Sequence, residues 1–267
     1  MNLDEVKAFV LDVDGTLVHR AGDEVHVQPG ALEVLARIRA SGRPLAIFTN
    51  GSHASPAWFA EGLRAAGLDI ADDEMLTPLR SVRQYLRVEG LAGPVLPFAT
   101  RLAHEYLAAE GMTMAAEDGP VDAVFVAHAD TVDFPLLERA ARAVIAGAPL
   151  LTASYVPAYA GANGPILSRG AMTTAAIAKA SSTEPVVVGK PSHAALRTIE
   201  TQVGVRTDEI VMIGDDATMD IGLGRMGGGK TVLVTSGISG HVDREQLPEE
   251  HRPDAVIGGI AELLDWL

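Results

Sequence analysis

The sequence predicts an α/β fold: a doubly wound, Rossmann-like parallel sheet with a smaller α/β domain inserted into it. Three observations carry this expectation. Short β-rich apolar runs alternate with amphipathic helical stretches along the chain, which is the signature of βαβ units. Helices begin and end where Pro and Gly favour it, as at Pro29 and Gly42. The stretch 80–183 repeats the alternation on its own and ends in a polar, Pro-terminated segment, Ser181-Ser182-Thr183-Glu184-Pro185.

Taken in order, the first strand is read at 7–12 (KAFVLD). A helix over 30–40 follows, with Leu32, Leu35 and Ile38 on one face, and then a strand at 44–49 (PLAIFT). The insertion enters near Thr77-Pro78. Its strands are read at 94–98, 123–127 and 149–153, and its helices at 101–110, 133–146 and 170–180. The first domain resumes with a strand at 185–189 (PVVVG). A helix over 192–203 is led in by Pro191, striped by Leu196, Ile199 and Val203, and stopped by Gly204. Strands at 209–214, 231–235 and 255–257 complete the sheet. The expected domains are thus 1–79 with 184–267, and 80–183 between them. Two chain crossings at such a boundary make a hinge.

Composition narrows the function. The chain has 267 residues, 48% of them hydrophobic and 21% charged, which suits an ordered core large enough for two domains. Lys and Arg number 21 against 35 Asp and Glu, a formal net charge of −14. No basic patch exists to hold a phosphate backbone, so a nucleic-acid partner is not expected. There is no cysteine, which excludes disulfides, zinc-thiolate sites and a thiol nucleophile, and fits a reducing cytoplasm. The opening MNLDEVKAFV lacks the basic start and apolar stretch of a signal peptide. No apolar run reaches 18 residues, so no membrane span is expected.

Four strand ends carry chemistry. Asp12 and Asp14 follow the first strand, two residues apart, and extended backbone turns such residues to one side. Two carboxylates brought together need a cation or a shared proton. The same Asp14-Gly15 pair is also good hairpin-turn chemistry. The second strand ends in Thr49-Asn50-Gly51-Ser52, whose hydroxyl, amide and backbone N–H groups suit phosphate oxygens and also suit a turn. Lys190 follows PVVVG, where it can project an ammonium over the sheet edge. The run Gly214-Asp215-Asp216-Ala217-Thr218-Met219-Asp220 holds three acids in six residues. That suits a hard divalent ion, and Asp216 also suits a helix N-terminus.

In this order and spacing the four segments resemble the motifs of the haloacid dehalogenase (HAD) superfamily, which is mostly phosphatases. LDVDGTLV is similar to the first motif, FTNGS to the second, the GKPS lysine to the third and GDDATMD to the fourth. The long insertion between the second and third resembles the NagD-like branch with its large α/β cap. The resemblance implies a magnesium-dependent phosphatase of small phosphorylated metabolites. Asp12 would attack phosphorus and form an aspartyl-phosphate. Asp14 would protonate the leaving oxygen and later activate water. Magnesium would be held by Asp12, the Asp14 backbone carbonyl and Asp215, with Asp216 and Asp220 behind them. Thr49, Asn50, Gly51 and Lys190 would bind the phosphoryl group. An acid at position 14 favours phosphoester over carbon–halogen chemistry, which has no leaving oxygen to protonate. Sugar phosphates, nucleoside monophosphates, phosphoglycolate and pyridoxal phosphate all remain open as substrates. Two alternatives are a phosphotransferase or mutase that passes the phosphoryl group to a sugar hydroxyl, and a non-catalytic phosphometabolite binder.

Two departures stand out. Met219 occupies the place of a family Thr before the last acid, and the cap loop reads Thr152-Ala153-Ser154-Tyr155 instead of a Thr-Asn-x-Asp-like stretch. If that loop faces the site when the cap closes, Tyr155, Tyr159 and Asn163 are the candidate substrate readers. An exposed cap face would also allow a homodimer, though no residue pattern marks one. Two glycine patterns are decoys. Gly222, Gly224 and Gly227 fit GxGxxG, and Gly224 to Thr231 fit GxxxxGK[ST]. Both need a strand before and a helix after, and here the order is reversed. Of the eight histidines none forms an HxxxH pair; His53, after TNGS, is the one placed to touch substrate.

Overall fold

The computed structural model describes residues 3–21, 24–159, 166–239 and 243–267. Strand β1 (Ala8–Leu11) is buried on both faces, as its continuous apolar run requires. A hairpin follows, β2 (Val18–Ala21) antiparallel to β3 (Glu24–Val27). Helix α1 (Ala31–Ala40) buries Ala31, Val34, Leu35 and Ile38. That is an i, i+3, i+4, i+7 stripe; Leu32, expected on this face with Leu35 and Ile38, is instead 47% exposed, because Ala31 and Val34 take its place against the core. Then come β4 (Leu45–Phe48), α2 (Pro56–Ala65) and β5 (Met75–Leu76).

The next elements are α3 (Pro78–Val88), β6 (Val95–Phe98), α4 (Arg101–Ala109), β7 (Ala123–Val126) and α5 (Phe134–Ile145). After them stand β8 (Leu150–Thr152), the short hairpin β9 (Ala158–Tyr159) with β10 (Ile166–Leu167), α6 (Arg169–Ser181) and β11 (Val186–Val187). Side-chain caps start three of these helices. Thr100, Asp133 and Ser168 accept from the backbone N–H groups of Ala103, Leu136 and Ala171. The chain finishes with α7 (His193–Val203), β12 (Ile210–Gly214), a π-helical turn at Ala217–Ile221, α8 (Gly222–Met226), β13 (Lys230–Val234) and β14 (Ala255–Ile257). Helix α7 is capped by Ser192 and ends at Gly204 with φ 71°, as its sequence signals ask.

The chain forms two compact units, one of residues 1–49, 56–76 and 190–267, the other of 50–55 and 77–189. In the first, six parallel strands run in the order β14-β13-β12-β1-β4-β5. Strand β1 sits between β12 and β4, so the carboxyl ends of all three lie at one edge. The direction of winding reverses between β1 and β12, which opens a crevice at those ends. Helix α7 packs Ala195, Leu196, Ile199 and Val203 against Ala8, Val10, Ala46, Phe48 and Met212.

The second unit holds a parallel sheet in the order β11-β8-β7-β6. Its core combines Leu96, Phe98, Val124, Val126 and Leu150 with Ala140 and Val144 of α5 and Ile177 of α6. The strand expected at 185–189 shrinks to two residues and joins this sheet, Val186 opposite Leu151 and Val187 opposite Thr152. An apolar run does not state which of two parallel sheets it extends. Residues 50–55, just beyond β4, also belong to the second unit.

Phe9 is the largest side chain of β1, with no exposed surface, and the Arg43 guanidinium lies 4.5 Å from its ring centroid. Phe9→Ala is expected to lower unfolding free energy by about 3–5 kcal/mol. Urea titration would show this as a shifted midpoint at unchanged slope, and a loss below about 1 kcal/mol would contradict the packing described.

Candidate active site

Asp12 leaves the sheet directly after β1, its N–H still bonded to the Ile213 carbonyl at 2.9 Å. The chain then turns tightly. The Val13 carbonyl accepts from the N–H groups of Leu17 (2.9 Å) and Val18 (3.0 Å). Gly15 has φ +84° and a backbone so close to Asp215 that a Cβ would lie 2.3 Å from Asp215 Oδ2. Glycine is required there on both counts.

Lys190 stands just ahead of α7, next to the cis peptide that joins it to Pro191, and is 2% exposed. Its Nζ donates to Asp12 Oδ1 at 2.6 Å, Asp220 Oδ1 at 2.6 Å and the Phe48 carbonyl at 2.7 Å. Three strand ends and the start of a helix therefore meet at one ammonium.

The acidic run after β12 divides its labour. Asp215 is buried, and its Oδ2 accepts from the Ile238 N–H at 2.8 Å. Asp216 Oδ1 accepts from the N–H groups of Thr218 (2.8 Å) and Met219 (2.9 Å) and so caps the π-helical turn. That turn brings Asp220 back against the strand, where a Cβ on Gly214 would fall 2.2 Å from the Asp220 carboxyl carbon. Single π-turns of this kind cluster at functional sites. Asp220 Oδ2 also accepts from the Asp216 N–H at 3.1 Å.

A segment that sequence reasoning missed completes the enclosure. After β13, Thr235–Ser239 wraps Asp215. Ser236 Oγ donates to the Gly15 carbonyl at 2.7 Å, and Ser239 Oγ accepts from the Ala217 N–H at 3.1 Å. A Cβ on Gly237 would sit 1.9 Å from Asp215 Oδ2. The available signal was the small, polar TSGIS at the end of the strand next to the acidic one.

The electrostatics follow from burial and charge count. Asp12, Asp215 and Asp220 each place an oxygen within 4.8 Å of the others. At such separations a like-charged pair costs about 4 kcal/mol at an effective dielectric of about 20. Burial pushes the Asp12 carboxyl well above the usual range; Lys190 pulls it back, and Asp220 and Asp215 push it further up. Burial likewise raises Asp220 against the pull of Lys190. Asp215 is pushed up to about 7, chiefly by burial and then by Asp220. Burial disfavours the Lys190 ammonium, yet Asp12 and Asp220 hold it charged, above its usual range. Three carboxylates against one ammonium leave a surplus of two negative charges. An all-oxygen donor set with that surplus fits a hard divalent cation such as magnesium, which takes one or two carboxylates and keeps waters.

The other expected residues have surroundings of their own. The Asp14 side chain is half exposed, sits outside the acid group, and accepts from Arg20 Nε at 2.5 Å. Two carboxylates two residues apart converge only while the backbone stays extended, and past Asp12 the turn at Val13–Val18 ends the strand. Thr49 is buried at the end of β4, its N–H bonded to the Leu76 carbonyl at 3.2 Å. Asn50 and Gly51 open the 50–55 segment of the second unit, where a Cβ on Gly189 would come 2.6 Å from Asn50 Oδ1. Tyr155 and Tyr159 are 41% and 45% exposed in that unit, and Asn163 lies outside the described residues.

A raised carboxyl makes stability fall as pH rises, because the native state keeps a proton that the unfolded chain has lost. With Asp215 near 7 against about 3.9 unfolded, its contribution is complete below about pH 4 and gone above about pH 7. Chelator-treated protein should therefore lose melting temperature between about pH 4 and 7. Millimolar magnesium should flatten that slope, and Asp215→Asn should reduce it. Parallel melting curves for wild type and variant would contradict the site.

Residues 9–113 match the family model for haloacid dehalogenase-like hydrolases, and 187–263 match one described as HAD-hydrolase-like. The chain is 31% identical over 258 residues to the ribonucleotide monophosphatase NagD of Escherichia coli, covering 97% of this chain and 98% of that protein. It is 26% identical to a dihydroxyacetone phosphatase of Corynebacterium glutamicum, over 97% of this chain and 90% of that one. The solved structure of E. coli NagD superimposes with a TM-score of 0.84 at 27% identity, covering 98% of each chain. A chain with this sheet, these four motif segments and full-length similarity to NagD belongs to the NagD-like branch of the haloacid dehalogenase-like hydrolases.

Proposed function

We propose that the protein is a magnesium-dependent phosphatase that hydrolyses small phosphomonoesters through an aspartyl-phosphate on Asp12. The reaction class follows from the family, whose members similar to this chain are named as phosphatases. The observation that carries the mechanism is the buried group of Asp12, Asp215, Asp220 and Lys190 at the reversal of the sheet.

In this reading Lys190 holds one oxygen of Asp12 and aims the second at phosphorus. That oxygen forms the new P–O bond as the ester oxygen departs. Asp14 gives its proton to the departing oxygen and then, as a carboxylate, takes a proton from water. The water oxygen attacks phosphorus, the bond to Asp12 breaks, and inorganic phosphate leaves. Splitting hydrolysis into two transfers makes each easier, and general acid–base help is worth about 10²–10⁴-fold. Lys190 offsets charge on the group in flight, and Asp220 keeps Lys190 charged and in place. Asp12, Asp215 and the Asp14 carbonyl would hold magnesium, with Asp216 and Asp220 behind them. When bound, the ion supplies positive charge to the transferring oxygens. Thr49, Asn50 and Gly51 are the proposed phosphoryl-binding residues, and Tyr155 and Tyr159 the proposed substrate readers.

Asp12→Asn is expected to lower phosphate release from 4-nitrophenyl phosphate by at least about 10³-fold with the melting curve retained. Turnover near wild type in the verified variant would remove Asp12 as nucleophile. Counting free phosphate against released alcohol, with acceptor sugars present, separates hydrolysis from phosphoryl transfer. Equal amounts support the phosphatase, and a phosphate deficit supports the transferase.

A further inference from the structure

The ion pair between Arg20 and Asp14 lies beside the buried acid group without being part of it. Arg20 is on β2, in register with Val25 of β3, so the antiparallel hairpin fixes its backbone. Asp14 is fixed six residues earlier in the same chain segment, by its bridge to Val18 and by the Gly15 N–H bond to the Val18 carbonyl at 2.7 Å. Between these two anchors Arg20 Nε donates to Asp14 Oδ1 at 2.5 Å, with side chains 42% and 50% exposed. The three acids that converge are Asp12, Asp215 and Asp220. Asp14, whose proposed task is at the leaving oxygen of the phosphoester that Asp12 attacks, is turned to the hairpin instead.

We propose that Arg20 is a positioning residue: its guanidinium holds the Asp14 carboxylate in a parked, outward orientation, and Asp14 must leave that pair and take up a proton from solvent before it can serve the leaving group. This rests on the assignment of Asp14 as the acid. An exposed pair of this kind biases an orientation by up to about fivefold, which is small enough for substrate binding to overcome. The pair thus sets how often Asp14 is engaged, and it does so most where the leaving group needs a proton.

That dependence gives the test. An alkoxide leaves poorly without a proton, whereas 4-nitrophenolate leaves without one. The readout is the kcat/KM for glycerol phosphate divided by that for 4-nitrophenyl phosphate, measured on the full chain. A general disturbance of the hairpin cancels in this ratio. Arg20→Ala should raise the ratio two- to fivefold, Arg20→Lys should return it to the wild-type value, and adding Arg20→Ala to Asp14→Asn should change nothing further. Asp14→Asn alone should lower the ratio by at least about 10²-fold. If Asp14→Asn lowers the ratio while Arg20→Ala leaves it unchanged or lowers it, the parking role is overturned and the acid assignment stands. If Asp14→Asn leaves the ratio intact, the acid assignment itself fails, and the parking role with it.

Discussion

One buried ammonium and three buried carboxylates set the terms for the rest of this molecule. Lys190 bonds Asp12, Asp220 and the Phe48 carbonyl at once, while Asp215 adds a third negative charge beside them. Buried ion pairs seldom repay their desolvation, and this one does not balance in charge. It persists because the six-stranded sheet holds the ends of β1, β4 and β12 together whatever the charges prefer. The apolar ladder supplies the stability that the acids spend. A divalent cation, or protons in its place, is what the surplus requires.

Space around the acids is made by removing side chains. Gly15, Gly214 and Gly237 each leave room where a Cβ would overlap a carboxylate, the first and third for Asp215 and the second for Asp220. Fixed in this way, and with Ile238 donating to it, Asp215 cannot swing away from its neighbours. Burial, and charge repulsion after it, is thereby expressed as raised pKa values instead of movement. Asp216 shows the other solution, since it spends its oxygen on two backbone donors and stays out of the group.

Most of the architecture was legible because its signals are local. Alternating apolar runs placed β1, β4, β12, β13 and β14, and Pro, Ser and Gly marked both ends of α7. Helix α3 was passed over although Leu79, Val82 and Leu86 form a buried stripe behind Pro78. Strand β11 was assigned to the wrong sheet because strand partnership is not a local property. Within the site, Asp12, Lys190, Asp215 and Asp220 could be found as acids and a base at strand ends. The roles of Thr235–Ser239 and Arg20 could not, because each depends on a contact with a residue elsewhere in the fold, one across the sheet edge and one across the turn at Gly15. The outward Asp14 illustrates the same limit, since a period of two holds only while the strand lasts.

Charge governs this site. The most direct measurement is calorimetric titration of magnesium into chelator-treated protein at pH 6 and pH 8, in buffers of different ionisation enthalpy, which counts the protons displaced. A group holding protons in place of a cation, with Asp215 near 7, should release them at pH 6 and fewer at pH 8. Binding with no proton release at either pH, or no binding at all, would contradict it.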